Sequence, residues 1–312
     1  MITHNLKIKN TVLFVLAICL FQTFFAQQTI DSKPFEAALV PKGAYIFYVI
    51  GDWGRQGKYF QKDVAAAMDK CAGKVKPSFI ASTGDNFYTF GIKNTNDKLW
   101  KKSFEDIYTG NNIKDVDWYV VLGNHDHYGN EQAQIDYSKK NNRWKMPAEY
   151  FAYSTPIGNS QKADFLFINT EPLANNCTGS AAQKQWKWID SSLSHSTAQW
   201  KFVFGHHPVY SSNPSHGDTK TLIHHLKPML EKYHVPAYFC GHDHDLQHQQ
   251  PAGSSVDYFV SGAGSKLRPT GKYEHTKFAE SKAGFAVVAL SGNKMMVWFV
   301  DKDANVLYSY EK

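Results

Sequence analysis

Cysteine is scarce. The chain has 4 cysteines in 312 residues, too few and too scattered for the disulfide framework of a small stapled domain. Cys19 falls in the N-terminal apolar run, leaving Cys71, Cys177 and Cys240, and an odd set allows at most one internal bridge. Internal repeats and low-complexity linkers are also missing, which argues against solenoids and against long disordered tracts. Past residue 26 no apolar run is long enough to span a bilayer. Nor is there a strong excess of one charge. Against 28 acidic residues stand 34 Lys and Arg, a formal net charge of +6, and the basic residues are scattered rather than striped. That is no nucleic-acid footprint.

What is present is a well-filled globular composition, 43% hydrophobic and 15% aromatic, enough for a sizeable core. The first residues read as a secretory signal peptide: Lys7 and Lys9, an apolar run from Val12 to Phe25, then the small Ala26. The run is shorter than the roughly 20 residues of a spanning helix. We therefore expect a signal peptide over 1–26, a lead-in over 27–42, a single domain over 43–312, and a secreted or periplasmic protein without a stable membrane span. Losing Lys7 and Lys9 with no acid leaves a mildly basic mature chain suited to anionic substrates.

Strand and helix patterns alternate. Tyr45–Ile50, Phe79–Thr83, Trp118–Leu122, Phe165–Asn169, Phe202–Phe204, Val235–Cys240 and Tyr258–Ser261 are apolar runs of strand length. Helical periodicity falls between them, over Lys58–Cys71, Lys98–Tyr108, Ala181–Ser192 and Thr219–Tyr233. After Ser261 helices stop, and Phe285–Leu290, Met295–Val300 and Val306–Tyr310 read as consecutive antiparallel strands. The expected class is α/β (α+β), a four-layer αββα sandwich of two mixed sheets flanked by helices. In open α/β sheets, ligands bind beyond the carboxyl ends of the strands.

Five short runs stand at those ends: Gly51-Asp52-Trp53-Gly54, Gly84-Asp85-Asn86-Phe87-Tyr88, Gly123-Asn124-His125-Asp126, Gly205-His206-His207-Pro208 and Gly241-His242-Asp243-His244. Hard metal ions take oxygen and imidazole ligands, and these runs supply both. Asp52 and Asp85 are carboxylates, Asn124 is a neutral oxygen donor, and His206, His242 and His244 are imidazoles. His242 and His244 are two apart on an extended loop, so they tend to face different ions. A phosphate ester is shielded by anionic oxygens. Two metal ions roughly 3.5–4 Å apart overcome this by lowering the pKa of a bound water and neutralising charge in the transition state. The five runs together predict a two-metal hydrolase.

With Tyr88 three residues after Asp85, the chain resembles the purple acid phosphatases of the small, tartrate-resistant type, within the calcineurin-like metallophosphoesterase superfamily. The resemblance spans about residues 43–300. It extends to Asn96-Asp97-Lys98, Trp118-Tyr119-Val120, Asn124-His125-Asp126-His127, Pro208-Val209-Tyr210-Ser211 and Ser261-Gly262-Ala263-Gly264. It implies a single metallophosphoesterase catalytic domain. It implies Fe(III) held by Asp52, Asp85, Tyr88 and His244, and a divalent Fe, Zn or Mn ion held by Asp85, Asn124, His206 and His242, with Asp85 bridging. It gives His125 contact with the phosphate and the leaving group, and His216 an acidic or orienting role. It implies an acid phosphatase that hydrolyses phosphomonoesters by in-line attack of a metal-bound hydroxide, with small phosphate esters as substrates and phosphoproteins or nucleotides as further candidates. The sequence leaves the oligomeric state open, a monomer being favoured.

Two departures stand out. Cys177 matches one partner of a disulfide in the mammalian relatives, but Thr219–Leu222 holds no second cysteine. The family's inserted loop over the site has no obvious counterpart, so Gly129–Tyr153 is expected to shape access. His207, His127, Asp126 and Asp243 read as supporting groups rather than ligands. Another dinuclear phosphoesterase, acting on diesters or nucleotides, would share this metal core, and a catalytically inactive relative would have lost part of it.

Overall fold

The computed structural model describes residues 33–158 and 160–312. The expected signal peptide and Cys19 lie outside the described residues. In chain order the strands are β1 (Lys33–Pro34), β2 (Tyr45–Ile50), β3 (Phe79–Ser82), β4 (Trp118–Val120), β5 (Trp144–Lys145), β6 (Phe151–Ile157), β7 (Gln161–Phe167), β8 (Trp200–Phe204), β9 (Ala237–Cys240), β10 (Leu246–Gln249), β11 (Asp257–Ser261), β12 (Thr276–Glu280), β13 (Gly284–Ser291), β14 (Lys294–Asp301) and β15 (Asn305–Glu311). They form two mixed sheets, ordered β1-β15-β14-β13-β2-β3-β4-β5 and β12-β10-β11-β9-β8-β7-β6. The runs β2-β3-β4-β5 and β7-β8-β9-β11 are parallel. Helices α1 (Gln61–Ala72), α2 (Glu131–Tyr137), α3 (Thr170–Asn175), α4 (Ser180–Ser194) and α5 (Lys220–Lys232) fill the connections.

Strand alternation decides what lies between the layers. In β7, β8 and β9, Phe165, Phe167, Phe202, Phe204 and Phe239 face the first sheet, where Phe47 packs edge-on against four of them and stacks 5.1 Å from Phe79. Their neighbours Leu166, Val203, Tyr238 and Cys240 point the other way. They bury Ala182, Trp186 and Ile189 of α4 and Leu222, Leu226 and Leu230 of α5. On the far side, α1 buries Val64, Met68 and Cys71. Each such side chain contributes roughly 1.5–3 kcal/mol by leaving water. Truncating Phe47, which is fully buried, removes about 3–5 kcal/mol because its neighbours cannot close the gap. The expected sandwich of two sheets is thus built on phenylalanine.

Several elements differ from the sequence reading. The helix expected over Lys98–Tyr108 is a wider π-helical segment, Trp100–Glu105. The stretch Gly129–Tyr153 holds α2, β5 and the start of β6, and Lys33–Pro34, inside the expected lead-in, pairs with β15. The sequence Leu-Gln-His-Gln of β10 looks too polar for a core strand, yet all four residues are buried. Its side chains find hydrogen-bond partners inside: Gln247 on Ser211 and Asp245, His248 on Asp257 and Tyr308, Gln249 on Ser212.

Candidate metal centre

The five runs follow β2, β3, β4, β8 and β9, all parallel strands, and meet along one edge where the two sheets face each other. The chain turns sharply there. Asp52, Asp85 and His242 hold φ of 59°, 52° and 69°, the left-handed region that costs a non-glycine residue of order 1–2 kcal/mol. Such strain persists only where the surroundings impose it, and here all three residues begin a site loop. Gly123 shows how close the loops come. A Cβ at that position would collide with the backbone and carboxylate of Asp85.

Seven predicted residues converge. Tyr88 Oη donates to Asp52 Oδ1 at 2.8 Å and lies 3.1 Å from His244 Nε2. His244 Nε2 is 3.4 Å from Asp52 Oδ1. His206 Nε2 is 3.5 Å from Asp85 Oδ1 and 3.0 Å from Asn124 Oδ1. His242 Nδ1 is 3.1 Å from Asn124 Oδ1 and 3.2 Å from His206 Nε2. Among the described residues, donor atoms of Asp52, Asp85 and His206 lie within 4.8 Å of one another, as do those of His216, His242 and Asp243.

These contacts fit a cation better than a hydrogen-bonded core. His206 Nδ1–H donates to Thr83 O at 2.8 Å, so in the neutral form that binds metal the Nε2 lone pair is aimed at the Asn124 oxygen, acceptor against acceptor. Asp52 is fully buried and Asp85 is 2% exposed, with no lysine or arginine ion pair on either among the described residues. Two buried carboxylates without a cationic partner are strongly disfavoured. Burial, reinforced by Asp85, pushes the Asp52 carboxyl well above its ordinary range despite His206. Burial and then Asp52 push the Tyr88 phenol up likewise. Burial would raise Asp85 too, but His206 and His125 hold it below the usual range. Burial, with the His206 charge, depresses His242. Burial together with Arg268 and Arg55 brings His244 down to about 3. Metal ligands must be neutral imidazoles and deprotonated acids. His242 and His244 already satisfy this. Burial would lower His206 as well, but Asp85 and Asp52 raise it, and a cation would reverse the shifts on Asp52, Tyr88 and His206.

The calcineurin-like phosphoesterase family matches residues 45–246, which contain every one of these donors. The chain belongs to that family. It is 33% identical to human tartrate-resistant acid phosphatase type 5, the alignment covering 84% of this chain and 89% of that protein. It is 31% identical to the rat protein of the same name, over 86% and 90%. To purple acid phosphatase 3 of Arabidopsis thaliana it is 34% identical, over 86% and 78%. Among solved structures, an anchor in the inner membrane complex of Plasmodium superposes with a TM-score of 0.79 and 29% identity, over 86% of this chain and 88% of that one. A purple acid phosphatase from yellow lupin seeds superposes with a TM-score of 0.67 at 16% identity, over 89% and 55%, and shares the fold.

Around the phosphoesterase centre lies a cavity of about 530 Å³, open to solvent and lined by Asn124, His242, His207, His216, Glu171 and Tyr128 among others. His125 donates Nδ1–H to Thr89 O at 2.6 Å, and its Nε2 stands 4.0 Å from Asp85 Oδ2. His216 donates Nδ1–H to Asp243 Oδ1 at 2.6 Å, and its ring is 4.4 Å from that of His242. Asp243 does more than bond locally. It reaches from the fifth run to orient His216 and also accepts from Ser211. His207 is a cavity wall, held by Thr170 Oγ1 at 2.9 Å with Glu171 3.5 Å away. Asp126 accepts from the backbone of Gly123, Asn86 and Phe87, and so ties the second and third runs together. No residue of Gly129–Tyr153 lines this cavity; α3 supplies that wall instead. Cys71, Cys177 and Cys240 are free, so the family disulfide is absent among the described residues.

Sequence reading missed two arginines. Arg55 stacks its guanidinium 3.4 Å from the centre of the Tyr88 ring, where a cation favours the phenolate electrostatically. Arg268 lies 3.1 Å from His216 Nε2. Arg268 lies in no recognisable motif, whereas Arg55 directly follows the first run, Gly51-Asp52-Trp53-Gly54, the one signal the sequence offered.

Proposed function

We propose that the chain is an exported acid phosphatase that hydrolyses phosphomonoesters at a dinuclear centre of Fe(III) and a divalent iron, zinc or manganese ion. The observation that carries this reading is the complete donor set, with Tyr88 Oη within 3.1 Å of both Asp52 Oδ1 and His244 Nε2. Asp52, Tyr88 and His244 would hold the ferric ion, Asn124, His206 and His242 the divalent one, and Asp85 both. The two ions supply Lewis acidity and an activated water. The fold alone does not carry the activity, since a relative of similar shape is described as a membrane-complex anchor. The intact donors and His125 do.

The protein's own groups then handle the substrate. His125 presents Nε2 on the Asp85 side of the cavity, held by the Thr89 carbonyl. Protonated, it would bind a phosphate oxygen and pass its proton to the departing alkoxide. Asp243 fixes the His216 ring beside His242 on the wall of the cavity. Arg55 and Arg268 add positive charge at the rim. Export rests on the N-terminal sequence, and no helix among the described residues is long and apolar enough to cross a membrane.

Metal analysis, a visible spectrum and turnover of phenyl phosphate against its diester test this reading. A purple or pink iron protein that prefers the monoester is the expected result. A colourless protein with two zinc or manganese ions overturns the ferric assignment, and a metal-loaded protein inert toward both esters overturns the phosphatase.

A further inference from the structure

The most exposed large apolar side chains of the described residues are Phe90, at 73%, and Tyr128, at 65%. Scattered exposed apolar groups need no explanation, but two aromatic rings side by side at the rim of a cavity do. Their ring centroids are 6.3 Å apart, and the Tyr128 ring stands 5.7 Å from His125, nearly perpendicular to it. Phe90 comes two residues after Tyr88, and Tyr128 three after His125. These are the two loops that meet at the metal donors.

The pair is built rather than incidental. The loops touch backbone to backbone: a Cβ on Gly91, whose φ is +63°, would sit 2.8 Å from the Asp126 carbonyl oxygen and 2.9 Å from Gly129 Cα. Asn130 N donates to Ile92 O at 2.7 Å, Gly91 N to Phe87 O, and Gly129 N to Asp126 O. With the main chains this close, the flanking side chains have no room inward. Phe90 and Tyr128 are turned out together onto a stiff support. Tyr128 also lines the cavity that holds Asn124, His207, His216 and His242. The same cavity carries two carboxylates, Glu171 and Asp218. They disfavour a substrate bearing a second phosphate beyond the scissile one.

We propose that Phe90 and Tyr128 form a shelf that takes the aromatic ring of an aryl phosphomonoester, the class of a phosphorylated tyrosine side chain or a simple phenol. The proposal deepens the phosphatase reading above and rests on it. An ester whose phosphorus is held at the metal donors and whose oxygen leaves toward His125 puts its first carbons beside that histidine. The rings at 5.7 Å and beyond then offer the edge-to-face and offset contacts that aromatic groups prefer at centroid distances of 4.5–7 Å. An aliphatic chain gains less there, and a nucleoside triphosphate meets Glu171 and Asp218.

The test compares the metal-loaded parent with Phe90→Ser, Tyr128→Ser and the double variant on O-phosphotyrosine and glycerol phosphate. Alongside, inhibition by phenylphosphonate and methylphosphonate is measured, because neither has a leaving group. Intrinsic leaving-group reactivity cancels between parent and variant. We expect the double variant to lower the aryl-to-alkyl ratio of kcat/KM about tenfold, mostly through KM, and to lose a similar factor in the phenyl-to-methyl ratio of inhibition. Metal content checks that the centre is intact. Equal losses on both substrates overturn the shelf. So does an unchanged ratio accompanied by a shift from dimer to monomer in sedimentation, which would assign these rings to contact between copies. A parent that hydrolyses neither ester and binds neither phosphonate fails the phosphatase reading instead.

Discussion

Asp257 and His248 are as deeply buried as Asp52 and His206, each fully withdrawn from solvent, but the two clusters balance their charge differently. At the first, Lys312 Nζ lies 2.8 Å from Asp257 Oδ2, Tyr310 donates to the same oxygen, and His248 bonds Asp257 at 2.8 Å and Tyr308 at 2.9 Å. Every polar atom faces a complementary one, and the chain provides its own cation. At the second, neutral His206 and Asn124 turn acceptors toward each other, and among the described residues the carboxylates have no lysine or arginine pair and His244 Nδ1 and Thr83 Oγ1 have no partner. The same residue types make a closed structural knot in one place and an open donor set in the other. What separates them is whether the counter-charge comes from the sequence or from outside.

The strongest way to break that contrast is to remove the shared carboxylate. Asp85→Ala should abolish both metal binding and phosphomonoester turnover, because one side chain serves both proposed ions. Metal content by elemental analysis and turnover should fall together. A variant that still holds two metals and turns over at the parental rate would sink the two-ion arrangement. Next in size is His125→Ala. This residue is placed to move a proton and not to hold a metal, so metal content should be retained while kcat falls by about 10²–10³. Intact turnover would remove His125 from the chemistry. At the knot, Asp257→Ala strands Lys312 and His248 and should destabilise the fold by about 3 kcal/mol. Urea titration measures this, and the metal-loaded protein should keep its activity below the transition. A large loss of activity without unfolding would mean the clusters are coupled.

The two regions were also unequally legible in the sequence. The donor runs could be read because ligand-type residues recur after strand-like apolar runs, and strand order brings such ends together whatever the loops do. The pairing of Asp243 with His216 and of Arg268 with the same ring spans 27 and 52 residues. It depends on loop paths that no local pattern encodes. The knot was invisible for a related reason. His248 sits in a strand whose last three residues are all polar, so no apolar alternation marks it, and its partners lie 9 and 60 residues away. Burial of Gln247, His248 and Gln249 becomes acceptable only once Ser211, Ser212, Asp245 and Asp257 are seen beside them. The aromatic core was foreseeable from composition, whereas the π-helical turn at Trp100–Glu105 had no signature beyond ordinary helical spacing.

The smallest expected effect concerns pH and sharpens the contrast from the structural side. Burial lowers the His248 pKa below its ordinary value, and the Asp257 carboxylate only partly offsets this. Burial would raise Asp257, but His248 and Lys312 hold it below the usual carboxylate range. Both groups therefore bind protons more readily in the unfolded chain. Their contributions are fully present above the unfolded pKa values, about 6.5 for histidine and 3.9 for aspartate. They are lost as pH falls, first through the histidine window and then through the carboxylate one. His248→Gln keeps a donor toward Asp257 and removes the imidazole. Its unfolding free energy should therefore decline less steeply than that of the parent between about pH 7 and pH 5, by an amount smaller than the Asp257→Ala loss. Other buried histidines titrate equally in both proteins and cancel in the difference. Parallel curves across that window would mean that His248 is not held neutral by the fold, and the closed knot would then be electrostatically no different from the open centre.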